Sequence, residues 1–298
     1  MSSRLLIRKA LVVASLVALS VVHGGHSDAS GGGQREAGGW APVSGRDDRG
    51  SGLALGGSGA QRTVTNDSAR EIVAESQRRT DTKSQRYEGL LQVFDAKGTT
   101  SDKRWMLERL GSHGESKSVL RFTAPAEVKG VALLVVNHPD RSSDQWMWTP
   151  AIERDRRIAL QDRSTRFFGT DFTFEDLEER DVGQYDYALA GDEAVDDAAC
   201  WKIESTPKKT KPSQYTRSIV WIRKDNYAAA RLDNYIKDHV VRRMSYSRIE
   251  DVQGIWTAHQ IEVADLGRGS RTRLTLEKLQ YNVPFKDEDF TLQAIRRP

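Results

Sequence analysis

The sequence predicts a mainly β protein, folded as a strongly curved antiparallel sheet or open barrel of about ten strands. From Arg86 onward the hydrophobic period is two; Trp105 and Leu107, for example, alternate with Arg104 and Glu108. The strand-like runs are separated by short turns, and no succession of βαβ units appears. These observations exclude a doubly wound parallel sheet.

The sequence predicts different degrees of burial for the individual strands. Val131–Val136 is apolar throughout, which predicts a strand that is buried on both faces. In the C-terminal third, Gly267 and Gly269 bracket a tight turn, after which Leu274 and Leu276 alternate with polar residues. This part therefore predicts an antiparallel meander.

The N-terminus has the anatomy of a secretory signal, which we assign to residues 1–29. A basic start ending at Lys9 precedes the apolar run Ala10–Val22, and small residues follow, with Gly24 or Ala29 as possible cleavage points. The alternative is a retained membrane anchor, for which this run is short. Export predicts a periplasmic protein that is released as a soluble molecule.

Two further segments precede the strands. Residues 30–65 are rich in Gly, Ser, Arg and Asp, which predicts a flexible linker because such a segment buries too little surface to fold. Asp67 then begins an amphipathic helix that runs to about Arg79, with Ile72 and Val73 on one face. The folded domain is expected to span residues 66–298.

Composition excludes several function classes. Lys and Arg outnumber Asp and Glu by 45 to 42, and without the first 30 residues the balance is 42 to 41, so no nucleic-acid footprint is present. The one cysteine, Cys200, excludes an intramolecular disulfide and lies far from the signal, which argues against a lipid-anchored lipoprotein.

Residues 150–180 interrupt the strand pattern. Thr173 and Asp176 have the spacing of a helix capping box, and Phe172 would pack against Leu177 at the same helix entrance. Four phenylalanines occur within eight residues, and capping explains only one of them; the four are Phe167, Phe168, Phe172 and Phe174. The aromatic cluster is either a plug or lid over a cavity, or the closure of an ordinary core.

The same segment is rich in arginine, namely Arg154, Arg156, Arg157, Arg163 and Arg166. We expect these side chains to form a solvated face paired with neighbouring acids, because such surface pairs are common. The alternative is that they meet anionic headgroups.

No catalytic machinery is visible. The six histidines are scattered without metal-ligand spacing, and no P-loop, nucleophile elbow or dinucleotide fingerprint occurs. Asp171 and Asp176 could form a carboxylate pair, although capping accounts for Asp176. We therefore predict no catalytic residue, no metal and no cofactor, while an enzyme whose groups converge from distant strands stays open.

Several pieces together resemble a known family. They are RFTAPAEVKGVALLV, WMWTP, RRIAL, FFGTDFTFEDL and the run from VWIRKDNY to WTAHQIEV. These pieces resemble the outer membrane lipoprotein-sorting protein family, the branch related to the periplasmic lipoprotein carrier LolA. The resemblance covers roughly residues 67–298, and FFGTDFTFEDL with IEDVQGIWTAHQIEV are its specific parts.

The resemblance implies a half-open antiparallel β-barrel around an apolar cavity, with short helices as a lid. It implies a non-enzymatic carrier of lipid or lipoprotein acyl chains, with an inner-membrane lipid transporter or an outer-membrane acceptor as partner. The alternative is an accessory or sensor module that docks on an envelope lipid transporter. Candidate cavity and lid residues are Trp146, Trp148, Phe167, Phe168, Phe172 and Phe174, followed by Leu91, Trp105, Leu107, Leu120 and Phe122.

Overall fold

The computed structural model describes residues 19–20 and 66–297. The signal predicted for residues 1–29 and the linker predicted for residues 30–65 therefore lie outside the described residues, except for two positions. These two form β1 (Leu19–Ser20), which pairs in parallel with β8 (Arg180–Asp181).

Thirteen strands form one antiparallel sheet, which confirms the predicted mainly β fold with a larger strand count than the expected ten. The first group comprises β2 (Ser84–Phe94), β3 (Thr100–Leu110), β4 (Lys117–Ala124), β5 (Ala132–Val136), β6 (Asp144–Thr149) and β7 (Arg154–Arg157). The second group comprises β9 (Tyr185–Val195), β10 (Ala198–Pro207), β11 (Arg217–Arg223), β12 (Ala229–Ile236), β13 (His239–Val252), β14 (Ile255–Asp265) and β15 (Ser270–Tyr281).

The sheet consists of two meanders that join at its centre. The first meander runs outward from β2 to the edge strand β7, and the second runs inward from the edge strand β9 to β15. Strand β15, the last of this sheet, pairs with β2, its first, along most of its length. The two edge strands do not pair with each other, so the sheet stays open and half-barrel-like.

Strand β7 shows why the sequence gives a low strand count. Its four residues, Arg154–Arg157, are all charged and three of them are exposed, so no apolar alternation marks them as a strand. An edge strand tolerates this composition because one of its two sides pairs with no other strand and is open to water. Charged edge residues also oppose pairing with another chain.

Burial in the inner strands follows the predicted alternation. In β2 the side chains of Tyr87, Leu91 and Val93 are buried, and their neighbours are partly exposed. Ala132–Val135 of β5 are all buried, which confirms the prediction of a doubly covered strand. The second cover is a C-terminal turn of helix, α2 (Leu292–Ile295), whose Ile295 packs with Ala132.

The predicted amphipathic helix is present as α1 (Asn66–Arg78). Ala69 and Val73 are fully buried and pack with Tyr187, Ile203 and Ile222 of the second meander. Helix α1 therefore covers the strands near β9, at the edge of the sheet opposite to β7.

Gly89 tests the pairing of β2 with β15. A Cβ atom at this position would lie 1.9 Å from the carbonyl oxygen of Thr275 on β15, so alanine forces the two strands apart. We expect Gly89→Ala to lower the free energy of unfolding by about 3 kcal/mol, as overpacking does. Thermal unfolding measures the change.

Gly267→Ala is the matched control. Its added Cβ meets its nearest neighbour, Asp265 Oδ1, at an ordinary 3.7 Å, so its stability should stay within about 0.5 kcal/mol of the parent. Equal stability of the two variants would contradict the tight β2–β15 contact.

Candidate functional site

The concave face of the sheet carries the main apolar core. The five predicted cavity residues of β2, β3 and β4 point to this face and are buried there, namely Leu91, Trp105, Leu107, Leu120 and Phe122. Ile261 and Leu274 of the second meander lie in the same cluster. Both halves of the sheet therefore contribute to one apolar surface.

This surface is covered by the chain between the two edge strands. Residues 158–184, which we call the crossing connection, leave β7 and reach β9 on the opposite edge. The rings of Phe167 and Phe122 stack with centroids 5.4 Å apart, and Phe174 meets Phe167 edge-on at 5.7 Å. Phe167, Phe172 and Phe174 are each at most 3% exposed, so the crossing connection fills the concave side here.

Phe168 differs from the other three phenylalanines. It is only partly buried, although its ring still meets those of Phe122 and Phe167. Its φ of +43° lies in the left-handed region, which is uncommon for a bulky residue. Phe168 therefore lies at the margin of the aromatic cluster under local backbone strain.

Trp146 and Trp148 lie on the opposite, convex face. Both are partly buried against the cluster formed by β4, β5 and the C-terminal helix, which includes Leu134 and Phe290. Between them, Met147 packs against the concave core. The sheet thus separates the two tryptophans from the other predicted residues, and their shared period of two could not reveal which face they take.

Four acids of the crossing connection are held by both halves of the sheet. We call residues 175–179 the acidic turn. Toward the first meander, the carboxylate of Glu179 accepts hydrogen bonds from Arg109 of β3 and from Ser116. The carboxylate of Glu178 accepts a hydrogen bond at 3.1 Å from the side-chain amide of Gln145 on β6, and another from Arg163 within the crossing connection.

Toward the second meander, Glu178 also accepts a hydrogen bond from Lys211 at 2.8 Å. The carboxylate of Asp176 accepts one from Tyr215 at 2.7 Å and lies 3.6 Å from Arg242 of β13. Asp176 and Glu178 are at most 4% exposed. Buried carboxylates of this kind need such partners, so the acidic turn fastens the crossing connection to both halves of the sheet.

The remaining acid, Glu175, accepts hydrogen bonds from the Ser213 hydroxyl and, at 2.9 Å, from the Gln214 amide, but from no cation among the described residues. Burial raises the pKa of Glu175 above its ordinary value.

The capping box predicted for this segment is confirmed. The Thr173 amide donates to Asp176 Oδ2 at 2.8 Å, and the Asp176 amide donates to Thr173 Oγ1 at 3.3 Å. It opens a single 3₁₀ turn, Glu175–Leu177, and not a longer helix, because the following acids extend to separate partners.

The predicted carboxylate pair is not formed, because Asp171 has its own partners. Fully buried, it accepts hydrogen bonds from Arg166, Ser270 and Thr272, so it ties the aromatic loop to the central strand β15.

The arginines of the segment fall into two groups. Arg157, Arg163 and Arg166 pair with Asp144, Glu178 and Asp171 respectively, and of these Arg163 is buried. Arg154 and Arg156 are exposed and form no ion pair within residues 66–297. The expectation of a solvated, acid-paired face therefore describes only part of the set.

A cleft of about 520 Å³ opens at the rim of the sheet, where β4, β5 and β6 end. We call it the rim cleft. Trp148 forms one wall, the guanidinium of Arg296 lies 6.0 Å from its ring centroid, and Phe122 of the aromatic cluster also lines the cleft. The other lining residues are Arg121, Thr123, Ala126, Lys129, Gly130, Pro150, Glu153 and Arg297.

Charge in the rim cleft is mostly positive. Four cationic side chains line it against a single acid, Glu153. Arg121 is held by the carbonyl oxygens of Ile295 and Arg297, at 3.1 and 2.9 Å. Sequence reasoning missed these cations because they come from strand β4, from the turn after it and from the C-terminal segment, with no shared motif.

Other site types find little support in the described part of the chain. No group of three or more His, Cys, Asp or Glu side chains could hold a metal ion there. None of its helices is both long enough and apolar enough to cross a membrane.

Comparison with known proteins identifies the family. A sequence model of a family of uncharacterized proteins matches residues 114–297, more than half of the chain. The chain belongs to this family. Its fold is that of the outer membrane lipoprotein-sorting proteins related to LolA, as the resemblance implied.

Three solved structures share the fold of this family member. A DUF1329 family protein from Desulfovibrio piger is 29% identical, with a TM-score of 0.73 over 77% of this chain and 98% of that one. A domain described as an outer membrane lipoprotein-sorting protein, from Vibrio parahaemolyticus, is 24% identical, with a TM-score of 0.74 over 78% and 100%. A LolA superfamily protein from Nitrosomonas europaea is 19% identical, with a TM-score of 0.57 over 71% and 91%. No curated protein sequence matches the chain.

Phe168 and Phe167 provide a test of the aromatic cluster. Phe168→Asp should cost about 1–2 kcal/mol, because a partly buried ring is lost while aspartate tolerates the positive φ. Phe167→Asp should cost more than about 4 kcal/mol or prevent folding, because it buries an unpaired charge. Chemical denaturation measures both, and a similar cost for the two would contradict the marginal position of Phe168.

Asp144, which links β6 to β7, provides a pH test. Burial opposes its charge, yet hydrogen bonds from Arg141, Arg157 and His138 hold the pKa of Asp144 well below its ordinary value. A lowered folded-state pKa contributes stability above the unfolded value, roughly 4, and this stability is lost as the pH falls further.

We therefore expect Asp144→Asn to lower the free energy of unfolding by about 1–3 kcal/mol at pH 7 and to flatten its decline below pH 4. Urea unfolding at a series of pH values measures both effects. The exposed neighbour Asp140 supplies the control, Asp140→Asn, which should leave the profile unchanged. Parallel profiles for Asp144→Asn and the parent would argue against the ion-pair cluster.

Proposed function

We propose that this protein is a non-enzymatic, lipid-binding carrier of the bacterial periplasm that takes up acyl chains at the rim cleft. The observation that carries the proposal is the rim cleft itself, which combines an apolar wall with a cationic mouth. Its volume of about 520 Å³ falls in the range of small-molecule sites, which is roughly 300–1,000 Å³.

The composition of the rim cleft suits an anionic amphiphile. Trp148 and Pro150 offer apolar surface, and each methylene that leaves water gains about 0.8 kcal/mol. Lys129 and Arg297 are exposed at the same cleft and form no ion pair within the described residues, so they are free to meet a phosphate or carboxylate headgroup.

The crossing connection supports a route from the rim cleft to the interior. Phe122 lines the cleft and also contacts Phe167 and Phe168 of the crossing connection. Movement of the strained Phe168 would extend the cleft toward the concave apolar face. The predicted lid role of the four phenylalanines belongs to this proposal.

The descriptions of two solved structures with the same fold support a carrier function. A solved neighbour with the same fold is described as a lipoprotein-sorting domain, and another as a LolA superfamily protein. The signal proposed for residues 1–29 would deliver the chain to the periplasm, where a lipid tail needs cover from water. An inner-membrane lipid transporter or an outer-membrane acceptor would then be its partner.

One observation favours a second candidate, an accessory or sensor module that docks on an envelope lipid transporter. The concave face is filled by Phe167, Phe172 and Phe174, whereas a carrier that holds its cargo there needs an open cavity. Such a module would bind no lipid in either the rim cleft or the interior.

Two tryptophans on one strand allow a matched test. Both lie on the convex face beneath an arginine, but Trp148 lines the rim cleft and Trp146 does not. Trp148→Ala should weaken binding of a fluorescent fatty-acid probe about tenfold, because it removes the main apolar wall. Trp146→Ala should leave the affinity unchanged at a similar loss of stability.

Native mass spectrometry of the protein purified from its own envelope completes the test. We expect a lipid to co-purify with the parent protein and with Trp146→Ala, and to be lost from Trp148→Ala. Absence of both a co-purified lipid and probe binding would favour the docking module over the carrier.

A further inference from the structure

A second cavity lies in the interior, beneath helix α1. It has a volume of about 40 Å³ and is enclosed by α1 on one side and by strands of the second meander on the other. We call it the internal chamber. It is distant in the fold from the rim cleft, which is formed by the first meander and the C-terminal segment.

Three buried polar atoms line the internal chamber without a hydrogen-bond partner among the described residues. They are Oε1 of Gln77 on α1, the hydroxyl of Tyr187 on β9 and the hydroxyl of Ser205 on β10. The residues are only 2%, 6% and 2% exposed. Native proteins rarely leave buried polar groups unpaired, so three around one cavity indicate something that occupies it.

A buried cation lines the same chamber. Arg180 is 9% exposed, and its guanidinium donates to Ser218 Oγ at 2.7 Å and lies 4.9 Å from the ring centroid of Tyr185. It forms no ion pair with any acid that the structure describes. A buried guanidinium without a carboxylate is costly, because its lost hydration is not replaced by an opposite charge.

The acids near Arg180 are engaged elsewhere. Arg180 and the acidic turn line one smaller cavity, but Asp176, Glu178 and Glu179 have their own cationic partners there. Glu175 lines the same cavity as Arg180 but forms no ion pair with it, and its carboxylate is held by Ser213 and Gln214. Arg180 is thus left as the buried cation that faces the internal chamber.

We propose that the internal chamber binds the carboxylate group of an aliphatic acid. The Arg180 guanidinium would supply the opposite charge, and the hydroxyls of Tyr187 and Ser205 would donate hydrogen bonds to the carboxylate oxygens. Gln77 Oε1 would accept the hydrogen bond of a hydroxyl or a water beside them. The site goes beyond lipid binding at the rim cleft and does not depend on it.

The size and the remaining lining define the ligand class. A volume of about 40 Å³ has room for roughly three water-sized groups, which matches a carboxylate and is too small for a phosphate. Val220, Ile222 and Leu232 provide an apolar continuation for an alkyl chain. A longer chain needs α1 to rise from the sheet, and a short acid such as acetate does not.

The test uses two hydroxyl deletions and three probes. Tyr187→Phe and Ser205→Ala remove groups that have no described partner, so both variants should fold. The probes are acetate, dodecanoate and the methyl ester of dodecanoate, titrated calorimetrically at pH 7.5. The control is Tyr281→Phe, since the Tyr281 hydroxyl already pairs with Thr257 at 2.7 Å outside the chamber.

We expect a carboxylate probe to bind, the methyl ester to bind at least about tenfold more weakly, and each hydroxyl deletion to weaken the acid about tenfold. Tyr281→Phe should bind like the parent. Similar binding of acetate and dodecanoate would identify the ligand as a small free acid. Binding of dodecanoate alone would identify it as an acid with a long alkyl chain, and either pattern supports the proposal.

Equal affinity for acid and ester, or acid binding that ignores Tyr187→Phe and Ser205→Ala, would overturn it and leave the chamber to ordered water. Trp148→Ala separates the two sites. Loss of dodecanoate binding in Trp148→Ala alone would overturn the internal chamber and support the rim cleft. Loss of dodecanoate binding in Tyr187→Phe and Ser205→Ala alone would support the internal chamber and argue against the rim cleft.

Discussion

Burial of the acidic turn is the constraint on which the rest of the structure depends. The open sheet of thirteen strands has one large apolar face, which needs a cover from elsewhere in the chain. One connection between the edge strands covers much of that face, and it stays in place because Asp176, Glu178 and Glu179 each find buried partners. Removal of one partner would leave a buried charge uncompensated, which costs far more than a surface pair.

In the crossing connection, different residues fill the concave face and fix the connection in place. The phenylalanines of the crossing connection fill the concave side through non-directional contacts, which a chain of similar shape could replace. The carboxylates fix the position of the connection through directional hydrogen bonds. Under the proposed carrier function, an acyl chain would take the place of Phe168 and its neighbours on the concave face. The acidic turn would keep its hydrogen bonds during this movement.

The two cavities divide the proposed functions between opposite parts of the sheet. The rim cleft is open, apolar and cationic, and it contacts the aromatic cluster through Phe122. The internal chamber is small, and it combines apolar side chains with Arg180 and unpaired hydroxyls beneath α1. Ligand binding in either would involve a cover, the crossing connection in the first and α1 in the second.

The sequence by itself determined the β class, the helix α1, the doubly covered β5 and the Thr173–Asp176 capping box, because these depend on local period and spacing. Only the tertiary structure decided that Trp146 and Trp148 take the convex face, since a period of two reports alternation without saying which side is inside. It also decided that Arg180 is buried without an acid and that Arg121 and Arg297 meet at one cleft. Such groupings arise from strand order and chain crossing, which bring together residues that no local pattern connects.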